Sequence, residues 1–272
     1  MTESILKSRR ESYYTLVRVL LFYVLSVALL LFTSRITKTL PAKSADLLSI
    51  AIACFLTFGL VVLFVKWEKL SLKTVGVIPG AKSANRFALG YAMGLAMAGT
   101  QALIVLMSGH LKLILNPRIT VTEVGLSCLL YLLVACREEL AFRSYFLKSI
   151  AYSFNVTTAL LIMTVIFIFE HVIAGMSWKM AAIGSGFGGI LFGISAIKSN
   201  GLALPFGLHS AWNFGQWSMG FKNKVGIWEA VVEKGYEVET ETIGLIGFSI
   251  AMSLGILFVY LLYKTKNEAK YP

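Results

Sequence analysis

Charge is scarce in this sequence. Asp, Glu, Lys and Arg supply 14% of its 272 residues and apolar residues 57%, against about 25% and about 45–50% in an ordinary soluble domain. With a mean hydropathy of +0.76, that deficit excludes a soluble globular protein. It leaves a polytopic membrane protein whose core is helix packed on helix in lipid. Cysteine is rare too: Cys54, Cys128 and Cys136 each sit in an apolar run, and their odd number and scatter exclude a disulfide framework or a zinc-finger spacing. They read as core thiols. Acidic residues are scarcer than basic ones, 14 against 25 Lys and Arg, for a formal net charge of +11. In a membrane protein that excess sets orientation and meets anionic headgroups. No basic stripe with interleaved aromatics is present, so membrane lipid, and not nucleic acid, is the expected anionic partner. No internal repeat or low-complexity linker divides the chain, and a single integral membrane domain over 1–272 is expected.

What the sequence does have is a series of apolar runs with short polar connections. The opening "MTESILKSRRESYYTLVRVLLFYVLSVALLLFTSR" has the basic head and apolar stretch of a secretory signal. It lacks a small-residue cleavage site and more spans follow, so it reads as a retained first helix. Further spans run over 47–65, 87–107, 121–150, 157–174, 181–197, 202–217 and 243–263, giving an all-α transmembrane bundle of eight helices. An even count puts both termini on one side. The larger share of Lys and Arg falls on the termini, on 66–86, on the hairpin between the fourth and fifth helices and on Lys198, so both termini are expected in the cytoplasm. The segment 222–242, with five glutamates, then faces outward, and "KTKNEAKYP" at the C-terminus reads as a solvated tail.

Against this background a few polar groups stand out. An ionisable side chain at membrane depth costs at least about 2.5–3.5 kcal/mol on insertion scales and marks a functional site by default. Glu138, Glu139 and Arg143 fall in "REELAFRSYF", Glu170 and His171 in "VIFIFEHVIAG", and His209 and Asn213 in "PFGLHSAWNF". Helical spacing pairs Glu139 with Arg143, Phe167 with His171 and His209 with Asn213. The fourth and fifth helices form an antiparallel hairpin turning near Asn155, with Glu138 and His171 at matching distances from the turn, about 24 Å at about 1.5 Å per residue. His209, eight residues past Gly201, would lie at about half that depth. A hairpin tip that protrudes into the cytoplasm reconciles the two and puts the shared site in the inner half of the membrane.

Each group alone has a plainer reading: a buried Glu139–Arg143 ion pair, a hydrogen-bonded core histidine, or Asn213 as interhelical glue. Two carboxylates, two histidines and an asparagine from three helices are more than packing requires. His110, in "MSGHLKLILN", has no such company and reads as a surface residue, and Arg137 has no role beyond the membrane interface.

"EELAFR", "FIFEH" and "HSAWN" resemble, in pattern and order, the three motifs of the CPBP family, the CAAX proteases and bacteriocin-processing enzymes also called Abi, which are polytopic membrane endopeptidases. The first motif is two glutamates with an arginine after three residues, the second Phe-x-x-x-His and the third His-x-x-x-Asn. The resemblance covers about 120–220, the expected catalytic core. It implies that Glu138 activates water as general base, with His171 holding or sharing it. Glu139 would coordinate the site or pair with Arg143, and His209 and Asn213 would stabilise the oxyanion.

Whether a metal takes part is left open by the residues. Glu138, Glu139, His171 and His209 are a plausible zinc set, and they also suit a metal-free glutamate-type protease; no HExxH pair is present. The implied substrate is a hydrophobic or lipidated peptide, either a prenylated C-terminal motif or a bacteriocin-like or signalling peptide. Two other classes compete: a non-catalytic bacteriocin self-immunity or membrane scaffold protein, and a transporter, whose paired broken helices are not found. Glu170, directly before His171, points about 100° away from it on an α-helix. It is expected to face Arg143, Lys179 or another helix, or to serve as a surplus ligand or outer partner if metal is bound.

Overall fold

A computed structural model describes residues 3–222 and 226–264, so the terminal tail from 265 lies outside the described residues. Eight helices account for most of the chain. α1 is Glu3–Thr37, α2 Ala42–Trp67, α3 Ser83–Leu106, α5 Val156–Ile173, α7 Ala203–Ser218 and α8 Glu237–Leu262. Two others are composite. α4 (121–153) joins Val121–Glu138, a π-helical turn Glu139–Phe146 and Leu147–Ser153, and α6 (178–199) joins Trp178–Met180, a π turn Ala181–Ser185 and Gly186–Ser199.

Six of the eight, α1, α2, α3, α5, α6 and α8, contain stretches long and apolar enough to cross a membrane, which makes this an integral membrane protein. The two that fall short are those richest in expected site residues. α7 has only 16 residues, and the first segment of α4 carries Glu123, Arg137 and Glu138. They are also deeply buried, every residue from Glu139 to Ala151 and most of α7 being shielded by the rest of the protein. Polar helices can lie at membrane depth when protein rather than lipid surrounds them.

One element departs from the expected all-helical layout. Leu111–Leu115 (β1) pairs antiparallel with Trp228–Val232 (β2), Leu111 opposite Val232 and Leu115 opposite Trp228, where the sequence reads as two loops. A lone two-stranded ribbon is marginal in water, and this one is latched at its ends. His110 Nδ1 lies 2.8 Å from Glu233, its ring stacks on Tyr236 at 3.5 Å, and Asn116 Nδ2 donates to Gly226 O at 3.1 Å. His110 is therefore a partly exposed residue with partners, not a bare surface group.

Local chemistry marks the ends of the α4–α5 hairpin. Thr120 and Glu123 form a reciprocal capping box at the start of α4, and Asn155 caps α5 by accepting from Thr158 N at 2.8 Å. The turn is at Asn155, as the sequence reading places it. Lys148 donates to Asn200, in the α6–α7 turn, at 3.3 Å, so that turn lies level with Lys148. The hairpin tip continues past it, and Glu139 and His209 are each nine residues from this common level. That removes the depth mismatch. Cys54 and Cys136 bring their sulfurs to 3.2 Å between α2 and α4, and all three cysteines are free thiols.

The bundle buries two apolar clusters. One gathers Phe142, Tyr145 and Phe146 of α4 against Phe22 of α1 and Phe64 of α2; the other joins Leu208 and Trp212 of α7 to Met97, Leu191 and Met252. Within the second, α3 and α7 approach backbone to backbone through small residues. A Cβ on Gly90 would overlap the Leu204 carbonyl, one on Gly94 that of Leu208, and one on Gly207 that of Phe87. Gly90 and Gly94 are four apart, as are Gly207, Ala211 and Gly215, the small-xxx-small pattern that lets helices pack closely where no hydrophobic force drives them together. His209 and Asn213, two residues out of phase, project from the other face of α7. Gly94→Val should therefore cost about 1–3 kcal/mol as an overpacked contact, seen as lower thermal stability of the purified protein. Gly99→Ala, with nothing within 4 Å of the added carbon, should leave stability unchanged.

Candidate functional site

The first motif sits where α4 changes from α to π geometry. Glu138 ends the α-helical part and Glu139 opens the π turn, which contains a non-helical backbone at Ser144 (φ −87°, ψ −110°) whose hydroxyl donates to Leu140 O. A π turn closes i→i+5 rather than i→i+4 and is found disproportionately at functional sites. Here it re-aims the side chains after Glu138 relative to those before it. The sequence reading, made on α spacing, does not foresee this.

Glu139 and Arg143 pair as expected, Arg143 Nη1 lying 3.4 Å from Glu139 Oε1, with side chains 0% and 1% exposed respectively. The same Oε1 accepts from His209 Nδ1 at 2.9 Å. A carboxylate can only accept, so Nδ1 carries the proton, and Nε2 is turned to Glu138, 3.8 Å from its Oε2. The His209 ring stacks on Phe192 at 4.3 Å. The guanidinium of Arg143 lies 4.4 Å from the Phe167 ring centre and within 6 Å of those of Phe142 and Phe192, a cation–π cage suited to a weakly hydrated cation away from water.

Phe167 ties this pair to the second motif. Its ring meets that of His171 edge-on at 4.5 Å, and its carbonyl accepts from His171 Nδ1 at 2.8 Å. The carbonyl likewise fixes the tautomer, leaving Nε2 of the neutral ring as a free lone pair. Glu138 is close by: His209, His171, Arg137 and Arg143 all act on its charge, and its Oε2 is buried with no hydrogen-bond partner. Thus Glu138, Glu139, Arg143, Phe167, His171 and His209 come together. Glu138 has His209 Nε2 3.8 Å from its Oε2 and lies within electrostatic reach of His171.

Asn213 is present as well, but with a partner the sequence does not announce. Its Oδ1 accepts from Lys222 Nζ at 3.0 Å. Lys222 follows α7, folds back over it and packs its ammonium 5.0 Å from the ring centre of Tyr131. Burial holds its amine below the ordinary lysine range, and Glu138 pulls the other way. In the sequence it is only the first charge of an outward-facing loop, and nothing in the pattern signals its return.

Arg137 needs a second correction, and Glu170 takes the last of its expected partners, another helix. Arg137 is 2% exposed, not at the interface, and its Nη1 donates to Glu170 Oε1 at 2.8 Å, with Ser26 of α1 beside its Nη2. Glu170 thus faces neither Arg143 nor Lys179. A signal existed: Glu138 and His171 lie level on antiparallel helices, so the residues just before them, of opposite charge, must lie nearly level too. This clamp sets the register of the two helices one residue from each of the motif groups.

His171, His209, Asn213 and Lys222 line a cavity of about 960 Å³ whose other walls are largely apolar, among them Phe167, Phe192, Trp212 and Phe248. It runs from the histidines to the ribbon, where Leu111 and Val232 face it, and to Glu237 and Glu241 of α8. The ribbon lies at the end of the bundle opposite Asn155, since it leads into the start of α4.

The residues suit a zinc site poorly as they stand. Glu139, one of the four expected ligands, has its Oε1 engaged by His209 and Arg143. Among the described residues, no group of three His, Cys, Asp or Glu side chains is arranged to hold a metal ion, whereas a zinc site needs at least three protein ligands.

Breaking the Arg137–Glu170 clamp should be costly. Arg137→Met leaves a buried carboxylate without its partner, a loss of about 3–5 kcal/mol, while Arg137→Met with Glu170→Met should recover most of it; thermal unfolding of the two purified variants checks this.

Among curated proteins, none matches the chain. Residues 120–215 match the family described as type II CAAX prenyl endopeptidase, Rce1-like, a segment that runs from the cap of α4 into α7 and contains all three motifs. With those motifs joined in one buried cluster, residues 120–215 are a domain of the Rce1-like type II CAAX prenyl endopeptidase family, also known as CPBP or Abi.

Proposed function

We propose that the protein is an intramembrane endopeptidase that hydrolyses a peptide bond with a glutamate-activated water, acting on a hydrophobic or lipidated peptide held in the cavity. The observation that carries this reading is Glu138 Oε2, a buried acceptor without a partner, set 3.8 Å from His209 Nε2 beside a cavity that both histidines line. An unsatisfied buried carboxylate oxygen is unfavourable for folding and well suited to take a proton.

In this mechanism Glu138 Oε2 takes a proton from water as the water oxygen attacks the carbonyl carbon. His171, anchored through Nδ1, holds the attacking water by its free Nε2. The oxyanion of the tetrahedral intermediate is stabilised by an Nδ2–H of Asn213 and by His209 in its doubly protonated form, whose Nε2–H donates while Glu139 keeps Nδ1–H. Collapse breaks the C–N bond, and the proton on Glu138 passes to the leaving nitrogen. Glu139 and Arg143 do not touch the substrate; Glu139 holds His209 in place through Nδ1–H and its charge favours the imidazolium, and Arg143 holds Glu139. No step uses a metal.

The substrate is either a prenylated C-terminal motif or a bacteriocin-like peptide. Both termini are inferred to be cytoplasmic from the distribution of Lys and Arg, which puts the ribbon end of the cavity on the outer side.

The test is cleavage of a peptide library by purified protein, with metal analysis of the same preparation. Glu138→Gln should lower kcat by at least about 100-fold, and Asn213→Ala by about 100- to 1,000-fold, both with normal membrane levels. Cleavage that survives Glu138→Gln refutes the role of Glu138. Stoichiometric zinc, lost with activity on chelation, refutes the metal-free route.

A further inference from the structure

The cavity contains a cation that the three motifs do not account for. Lys222 lines it and is half-buried, yet among the described residues it forms no ion pair. The neutral carbonyl of Asn213 accepts one of its three N–H groups, and the face of Tyr131 gives a second, weak stabilisation. Glu138 lies within electrostatic reach but not in contact. An ammonium half-withdrawn from water without a counter-anion in contact is unfavourable, so its remaining N–H groups are open to an anion.

The two glutamine amides of the chamber are already engaged. Gln216 Nε2 donates to Gln101 Oε1 at 2.7 Å and Gln101 Nε2 to Gly244 O at 3.0 Å. The remaining N–H groups of Lys222 are uncommitted positive donors in a chamber with largely apolar walls, Trp212, Leu245, Phe248 and Met252 among them, to which α8 adds the carboxylates Glu237 and Glu241. An ammonium with free N–H groups beside Asn213, in a chamber with largely apolar walls, fits an apolar ligand that places one negative group on that ammonium, away from the carboxylates of α8.

We infer that Lys222 is the anion anchor of the substrate site and binds a carboxylate of the peptide while the apolar walls take its neighbouring side chains. This rests on the peptidase reading and adds the substrate's charge to it. Two sources supply the same chemistry, the free C-terminal carboxylate or an Asp or Glu side chain near the scissile bond. Because Lys222 also holds Asn213, the bound anion would lie next to the group assigned to the oxyanion, making Lys222 a specificity-determining residue and not a proton carrier.

The experiment measures binding apart from catalysis, using the full chain with Glu138→Gln in lipid nanodiscs and a fluorescent apolar peptide in three forms: free acid, C-terminal amide, and amide with one internal Asp. The free acid, the Asp-containing amide or both should bind at least about tenfold more tightly than the plain amide, and which of them does so identifies the source. Adding Lys222→Met should abolish the preference, and Lys222→Arg should keep it. Equal binding of all three forms, or a preference that survives Lys222→Met, overturns the inference. The comparison of peptides within one protein stands even if Lys222→Met folds poorly. Cleavage by the wild type is scored separately: a carboxylate preference without cleavage rejects the peptidase reading alone, and cleavage without a preference rejects the anchor alone.

Discussion

A guanidinium and a carboxylate without access to water, Arg143 and Glu139, set the terms for the rest of this structure. Neither ion is tolerable alone in a low-dielectric interior, and even together they recover their lost hydration only if further groups engage the remaining lone pairs and N–H groups. His209 does so for one oxygen of Glu139, and Arg143, whose nitrogens make no hydrogen bond, is held by the rings of Phe142, Phe167 and Phe192 instead. The pair therefore recruits one side chain from each of α5, α6 and α7 to the π turn of α4. In this way a local electrostatic problem becomes the device that assembles the site.

Assembly also requires that α7 come close enough to present His209 and Asn213. Lipid supplies no hydrophobic force between helices, so the approach depends on shape. Gly90 and Gly94 of α3 and Gly207 of α7 remove the side chains that would hold the helices apart. The opposite face of α7 can then carry polar groups, because α7 is enclosed by other helices. The shortest helix of the bundle thus carries His209 and Asn213 of the cluster, and protein surroundings replace the apolar length that a lipid-facing span would need.

The helix count, the hairpin turn at Asn155 and the meeting of the three motifs were legible in the sequence, since each follows from hydropathy or from helical spacing. The π turn was not, because an extra residue in a turn leaves no mark in a pattern read at 3.6 residues per turn. The ribbon was not, because five-residue strands such as "LKLIL" and "WEAVV" owe their pairing to His110, Asn116 and the turn at Glu233–Tyr236 more than to propensity. Lys222 was invisible for a different reason: a charge just past a helix end looks like loop chemistry, and only the fold turns it inward. The partnership of Arg137 with Glu170 was in reach, since the hairpin register that levels Glu138 with His171 nearly levels them too.

The alternation of roles along "REE" follows from that register. Arg137 is fully committed to Glu170 and Glu139 to His209 and Arg143, so the charges on either side of Glu138 are already paired by structure. Glu139 and Glu170 also keep a buried Oε2 without a partner, but each is hydrogen-bonded through its Oε1, whereas among the described residues Glu138 accepts no hydrogen bond, and its two histidine neighbours have their other nitrogens tied down by Phe167 O and Glu139. A proton-transfer site needs reactive atoms that are free while everything around them is held. Pairing the neighbours in sequence, and the far nitrogens in space, leaves Glu138 Oε2 and the two Nε2 atoms free beside the cavity that both histidines line.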